Sequence, residues 1–444
     1  MNKHLTSVDQ SDRLVPYNLR QSGETPVEML IFTRVRKSPF WHLSVEAGCW
    51  RATIYNRIYH PFGYVRPEDG GTMVEYQALK NHVTMWDVAV ERQIMVKGPD
   101  AEAFVDYVIT RDATQIPPMR AKYVILCNNM GGVLNDPILL RLSKDEFWFS
   151  LADSDIGIYL QGVNHDNRFD VVIDEIDVCP LQIQGPKSLA LMEDLVGNQA
   201  DVKNLPFYGM LEAKIGGHDC VISQTGFSGE AGFEIYLRDA TLHADDLWYA
   251  VLEAGRKYQL MVTAPPHCRR IQAGILSWGQ DMDNQHNPFQ CNLGYQVSLS
   301  AKGEWNKAGN YIGKDVLEQM RSDLKCGKKP YKLQLVGLKM GGKPIEDFAN
   351  DFWLISADDS TEPCGFVTSP WFHPDEKTNI AMAYVPFDGT LNRHGFPIGN
   401  YGQKFKVHLP DKYAEKAGEP VDAEVVKMPF TTSVNLNIRE IIDS

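Results

Sequence analysis

An α+β fold in more than one domain, ending in a small β-barrel or sandwich, is what this sequence predicts. Three observations predict it. Strand-like and helix-like periods alternate from Ser38 onward. A strand, a Gly-Pro turn and a helix recur in that order at two places. Past residue 332 the rhythm changes to short runs separated by turns. With 444 residues, 43% of them hydrophobic, the chain can bury large cores, and its length suits two or three domains.

The elements follow in order. Residues 1–37 read as an N-terminal extension, polar and without a clear period over the first 30. Tyr76 to Val83 reads as a short helix before Met85-Trp86-Asp87. Gln93 to Lys97 reads as a strand stopped by Gly98-Pro99, with Asp100 placed to cap a helix from Ala101 to Ile109. Strands are expected at 123–126, 133–140 and 147–151. The strand–Gly-Pro–helix unit then returns at Leu181-Gln182-Ile183-Gln184-Gly185-Pro186-Lys187, followed by Ser188 to Leu195, and hints at an internal duplication. Thr241 to Tyr258 carries an apolar stripe of Leu247, Ala250, Val251, Ala254 and Tyr258, with Thr241 as the expected cap. The segment 325–332 is polar, basic and broken by Gly and Pro, so it reads as the linker between a region 38–322 and a C-terminal region 333–432. Within the latter, strands are expected at 332–338, 351–356, 365–368, 380–384 and 405–407.

Bulk composition excludes several function classes. A net charge of −13 argues against a nucleic-acid binder, whose phosphate contacts need a basic surface. No run approaches the roughly 18 apolar residues of a membrane span. The first residues, Met1-Asn2-Lys3-His4-Leu5-Thr6, lack the apolar stretch of a secretory signal. Eight scattered cysteines without a C-x-x-C pair suit a cytoplasmic protein with reduced thiols. Neither paired cysteines nor H-E-x-x-H is present, and the twelve histidines are dispersed, so no metal is expected.

One stretch stands out for chemistry: Gln224-Thr225-Gly226-Phe227-Ser228-Gly229-Glu230-Ala231-Gly232-Phe233-Glu234-Ile235-Tyr236. Three glycines lead into a strand that sets Glu234 and Tyr236 on one face, since side chains two apart point the same way. The glycines leave room for close approach to backbone. A carboxylate there can accept two parallel N–H bonds from a flat, donor-rich heterocycle such as a pterin edge. The bland alternative is a hairpin with a surface glutamate. Asp136 is the second candidate, because Gly131-Gly132-Val133-Leu134-Asn135-Asp136-Pro137 delivers a carboxylate onto an apolar strand. Its alternative is a turn-forming Asn-Asp-Pro. Tyr123 could stack on or bond to a ligand, or be a core aromatic. Tyr55 and Asn56 could line a substrate or simply pack. Glu91 and Arg92 read as structurally paired charges.

The segment from Thr225 to Ile235 resembles the T-G-[YF]-[ST]-G-E-x-G-[FY]-E-[IVL] signature of the aminomethyltransferase family, which includes the glycine-cleavage T-protein. Trp86-Asp87-Val88-Ala89-Val90-Glu91-Arg92-Gln93, Asn135-Asp136-Pro137 and Ala152-Asp153-Ser154-Asp155 are similar to its branch of tetrahydrofolate-dependent demethylases. Thr53-Ile54-Tyr55-Asn56, Ile183-Gln184-Gly185-Pro186-Lys187, Asn287-Pro288-Phe289 and Tyr311-Ile312-Gly313-Lys314 extend the resemblance, which runs from about Ser38 to Phe430. It implies three domains in a ring around a central folate pocket, the last a barrel. It also implies tetrahydrofolate as methyl acceptor, held by Glu234, Tyr123, Asp136 and Arg270, with Asp136 beside the reactive nitrogens. Tyr236, Phe227, Tyr55 and Trp278 are the candidates for holding the donor. The expected partners are a small-molecule methyl donor and a second copy in a homodimer.

The sequence departs from the family at Gln272 and Gln290, where glutamates are usual, and at Trp278, where tyrosine is common. Sulfonium demethylases carry R-S-G-W-S-K-Q-G-G where this chain has Gln224 to Gly232, so Phe227 replaces the stronger cation–π ring. A small onium donor such as dimethylsulfoniopropionate is nevertheless favoured, because its leaving group departs neutral and needs no acid. The alternatives are O-demethylation of a methoxylated aromatic acid, with Tyr236, Tyr123 or a histidine as proton donor, a glycine-cleavage-type aminomethyltransferase, and a non-catalytic folate-binding protein.

Overall fold

The computed structural model describes residues 31–299, 307, 309–346, 353–410 and 417–431. The first 30 residues, and residues 351–352 at the start of one expected strand, lie outside these. Two compact units result: one is built from Ile31–Leu126 and Asn135–Pro266, the other includes Cys127–Leu134 and the chain from His267.

The first unit holds two main sheets. Its six-stranded sheet runs, edge to edge, Met210–Ile215, His218–Ser223, Gly232–Arg238, Val178–Gln184, Val83–Asp87 and Leu260–Val262. Its five-stranded antiparallel sheet runs Val172–Glu175, Gln93–Lys97, Glu146–Ser150, Ile138–Arg141 and Arg120–Tyr123. Ala121, Leu140 and Trp148 of the smaller sheet meet Val178, Met210, Val221 and Tyr236 of the larger, so the sheets pack face to face over an apolar layer. The opposite face of the larger sheet is covered by the helices Ser188–Val196 and Ala240–Gly255, with Leu191, Met192, Leu247, Trp248 and Val251 buried. Val83–Asp87 is buried at every residue, as a central strand covered on both faces requires.

Both expected strand–Gly-Pro–helix units are present: Gln93–Lys97 with Ala101–Val108, and Val178–Gln184 with Ser188–Val196. The expected helix caps are not made. Asp100 turns its carboxylate to the backbone N–H of Asp170 (2.9 Å) instead of to its own helix. Thr241 lies inside its helix, which starts after Asp239 in a left-handed conformation (φ 50°), and its N–H is bound by the Asp177 carboxylate. Tertiary partners here replace local caps. The expected strand 133–140 is broken at Asp136-Pro137 into Val133–Asn135 and Ile138–Arg141, because proline has no N–H to continue a ladder.

The two signature glycines flanking the turn serve the protein's own packing. A Cβ at Gly226 or Gly232 would overlap the side-chain amide of Gln184. That amide is buried, donates to Thr225 O (3.2 Å) and accepts from Ser228 Oγ (2.7 Å). The approach that these glycines permit is therefore filled by Gln184. Gly232→Ala is expected to destabilise the fold by about 1–3 kcal/mol through overpacking. A urea titration with an unchanged midpoint would refute this.

Asp87 is buried at the end of its strand, accepting from Ser38 Oγ (2.8 Å), Ser44 Oγ (3.3 Å) and Ala89 N (3.1 Å). Burial pushes its carboxyl up to about 6 despite those three bonds. A carboxyl raised in the folded state contributes stability that is fully present below its unfolded value near 4 and lost as pH rises through about 6. The loss amounts to about 3 kcal/mol between those limits. Asp87→Asn is expected to remove that part of the slope, measured as the denaturation midpoint from pH 4 to pH 7. A variant with the wild-type slope would assign the titration elsewhere.

In the second unit a closed six-stranded barrel takes the order Leu333–Met340, Thr378–Pro386, Pro363–His373, Trp353–Ala357, Lys404–Pro410 and Ala417–Val426. Val336, Leu338, Ile355, Val367, Ala381, Ala383 and Val407 fill its core. The sandwich alternative is thereby excluded. The last strand was not expected from the sequence, which reads Ala-Gly-Glu-Pro-Val-Asp-Ala-Glu-Val-Val; only one face of it, with Ala423 and Val425, is apolar and buried. The helix His267–Gln272 packs on the barrel strands, and Lys314–Lys325 ends on the first residue of the expected linker.

Candidate active site

Glu234 sits in mid-strand on Gly232–Arg238, directly opposite Gln182 on one side and Ser223 on the other. Its carboxylate accepts from Gln182 Nε2 (2.7 Å) and from the hydroxyl of Tyr236, two residues along on the same face. Burial raises the carboxyl, and hydrogen bonds from Tyr236, Thr225 and Gln182 pull it back. Gln182 Oε1 is buried and has no hydrogen-bond partner among the described residues. Tyr236 is fully buried in the layer between the sheets, so its ring is core and its hydroxyl orients Glu234.

Glu91 departs from the expected pairing. Arg92 instead binds Asp155 (3.2 Å) and Glu175 (2.6 Å), and both Glu91 and Arg92 lie in the turn that precedes the strand Gln93–Lys97. Glu91 accepts from Ser150 Oγ (2.9 Å), which in turn accepts from Gln93 Nε2 (2.8 Å) across the Gln93–Ser150 register. Burial, then the negative charge of Glu234, pushes Glu91 well above the usual carboxylate range.

Asp136 leaves the Val133–Asn135 strand just before Pro137 and accepts from Tyr123 Oη (2.8 Å). Tyr123 stands across the register from Ile138, two residues past Asp136, which brings the pair together. Asn135 anchors the turn: its amide donates to Ala152 O (2.9 Å) and Ser154 Oγ (2.8 Å) and accepts from Ala152 N (3.1 Å). The same Ala152-Asp153-Ser154-Asp155 segment holds the tip of the Arg51–Tyr55/Ile58–Gly63 hairpin, where Asn56 N donates to Asp153 Oδ1 (2.7 Å). Asn56 Nδ2 also donates to Val90 O (3.0 Å), so this tip is tied to the segment that carries Glu91. Tyr55 next to it has its phenol pushed well above the usual range by burial and then by the negative charges of Asp136, Asp153 and Glu91. Phe227 is half-buried and packs its ring on Leu79, Trp86 and Val88.

Arg270 and Trp278 belong to the second unit. Arg270 pairs with buried Asp281 (2.7 Å) and donates to Ser369 Oγ (2.8 Å), Ile275 O (3.0 Å) and Gln280 Oε1 (3.1 Å). Trp278 Nε1 donates to Val133 O (2.9 Å). Gln272 Oε1 accepts from the buried Arg269 (3.4 Å), and Gln290 Oε1 accepts from Asn287 Nδ2 (3.3 Å). At both glutamate-to-glutamine departures the amide thus has hydrogen-bond partners within its own unit.

The structure thus brings Glu234 together with Tyr236, and Asp136 together with Tyr123. Sequence reasoning missed Gln182 as Glu234's partner, although a polar residue at alternate positions of Leu181-Gln182-Ile183-Gln184 marks a strand with a polar face. It also made no candidate of Asp153 and gave Glu91 a purely structural pairing, whereas both carboxyl groups bear on the Tyr55 phenol.

Residues 42–301 match the family model described as the GCVT N-terminal domain. The chain is 32% identical to a dimethylsulfoniopropionate demethylase of Ruegeria pomeroyi over 79% of its length and 90% of that protein's. It is 29% identical to an aminomethyltransferase of Thermotoga maritima over 80% and 88% of the two chains. Its fold is similar to the crystal structure of the glycine cleavage system aminomethyltransferase T of Bartonella henselae. That similarity has a TM-score of 0.73 at 22% identity and covers 90% of this chain and 99% of that one. The chain belongs to the GCVT family and is an enzyme, a tetrahydrofolate-dependent methyltransferase.

Proposed function

We propose that the enzyme moves a methyl group from a small methylated onium, a sulfonium or a quaternary ammonium, to N5 of tetrahydrofolate. The observation that carries the onium is the pair of carboxylates beside Tyr55: Asp153, which accepts from the neighbouring Asn56 N, and Asp136, held by Tyr123. Arg92, the cation beside Glu91 in sequence, is turned to Asp155 and Glu175. An anionic, aromatic surrounding favours a cationic donor over a methoxylated aromatic acid, which brings a negative charge of its own. The similarity to a demethylase of a sulfonium compound supports the same reading.

The residues present fit a reduced pterin. Its amino edge offers N–H donors, and Glu234 with the unpartnered Gln182 Oε1 offers buried acceptors for them. Tyr236 and Gln182 Nε2 hold the Glu234 carboxylate in one orientation, so little entropy is lost when the edge docks. Phe227 and Tyr55 are the rings offered to the onium methyls. Asp136, steered by Tyr123, stabilises the positive charge that N5 gains as the new C–N bond forms. The old bond to sulfur or nitrogen breaks with its electron pair leaving on the donor, which departs neutral. Asp136 then takes the N5 proton. The fold contributes mainly alignment of N5, methyl carbon and leaving atom.

Aminomethyl transfer is the second reading, favoured by the aminomethyltransferases at 29–30% identity. A competition between dimethylsulfoniopropionate, glycine betaine, a methoxybenzoate and an aminomethyl-lipoyl carrier decides among donors. Consumption of one or both onium compounds alone is expected. Consumption of the methoxybenzoate alone would replace the onium reading by an ether reading.

A further inference from the structure

Two of the twelve histidines, far apart in sequence, meet on the outer side of the six-stranded sheet. His218 starts the strand His218–Ser223, and His243 lies in the first turn of the helix Ala240–Gly255. Their rings stack with centroids 3.8 Å apart and planes at 14°. Asp246, one turn on from His243 at the i,i+3 spacing that shares a helix face, places Oδ2 2.8 Å from His218 Nε2. Potential ligand atoms of all three residues lie within 4.8 Å of one another. The meeting is enforced by backbone. Gly216, in the turn just before His218 (φ 62°), comes so close to the helix that a Cβ there would lie 2.8 Å from Asp246 O. The turn is thereby pinned against the helix segment that carries His243 and Asp246.

We propose that His218, His243 and Asp246 form a binding site for a borderline divalent cation of the zinc, nickel or cobalt class. Two imidazoles and one carboxylate are the donor set such ions prefer over calcium or magnesium, with water completing the shell. His218 and Asp246 already stand as close as two ligands of one ion, and the ion replaces the proton shared between Nε2 and Oδ2. His243 is half-exposed, so its ring is free to turn out of the stack and direct a nitrogen at the ion. The site ties a strand to a helix on the face opposite the layer that carries Tyr236, which assigns it to stabilisation rather than to methyl transfer. Bound metal releases protons and so binds more weakly as pH falls.

Cobalt(II) titration of the full-length protein, followed by its visible absorbance, tests this. One ion per chain is expected, without the thiolate charge-transfer band that a cysteine ligand would add. Zinc should displace it and raise the melting temperature. Asp246→Ala, at an exposed position, and His243→Ala should each weaken binding by at least about tenfold, the loss seen when even an outer-shell partner of a metal ligand is removed. Circular dichroism establishes that both variants fold. No saturable cobalt binding, or equal affinity in wild type and both variants, would overturn the proposal.

Discussion

Glu234→Ala is expected to weaken tetrahydrofolate binding by about 1.5–3 kcal/mol, roughly 10- to 150-fold, the worth of a charge-assisted contact. The variant also strands two buried donors, Tyr236 Oη and Gln182 Nε2, which the carboxylate satisfies in the wild type. A loss of fold stability would accompany the loss of affinity for that reason. Glu234→Gln separates the two effects: it keeps the volume and an acceptor while removing the charge. Its affinity should fall while its urea midpoint moves less than that of the alanine variant. Titration with tetrahydrofolate reads both variants, and unchanged affinity in each would remove Glu234 from the pterin edge.

Asp136→Asn should behave differently. The amide keeps an acceptor for Tyr123 Oη, so folate binding should stay near wild type. Methyl transfer should fall by about 10²–10³, because positive charge at N5 develops only on the way to the transition state. Single-turnover kinetics with saturating acceptor isolate that step from product release. Wild-type turnover would make Asp136 a turn residue that shapes the chain before Pro137 and nothing more.

Much of this was legible in the sequence, for identifiable reasons. Gln93–Lys97 and its following helix could be read because Gly98-Pro99 stops a strand whatever surrounds it. The Glu234–Tyr236 contact could be read because strand geometry fixes which face a side chain takes. The barrel rhythm was visible, but its last strand was hidden by charge and proline, since only one face of it enters the core. Helix starts failed where a distant residue supplied the bond: Asp170 took the Asp100 carboxylate, and Asp177 served the helix of Thr241. The role of Gln184 against Gly226 and Gly232 was also beyond reach. Sequence shows that the glycines leave space, and only the fold shows what fills it. Glu91 illustrates the same limit. Its neighbour Arg92 looked like its partner, yet in the turn before Gln93–Lys97 Arg92 binds Asp155 and Glu175 and leaves Glu91 with Ser150 near Glu234.

The most direct test of the account is product analysis after incubating the enzyme with tetrahydrofolate and dimethylsulfoniopropionate or glycine betaine. The account predicts 5-methyl-tetrahydrofolate in equal amount to the demethylated donor, with no turnover when the folate is omitted. Formation of 5,10-methylene-tetrahydrofolate from an aminomethyl-lipoyl carrier, with neither onium consumed, would contradict it.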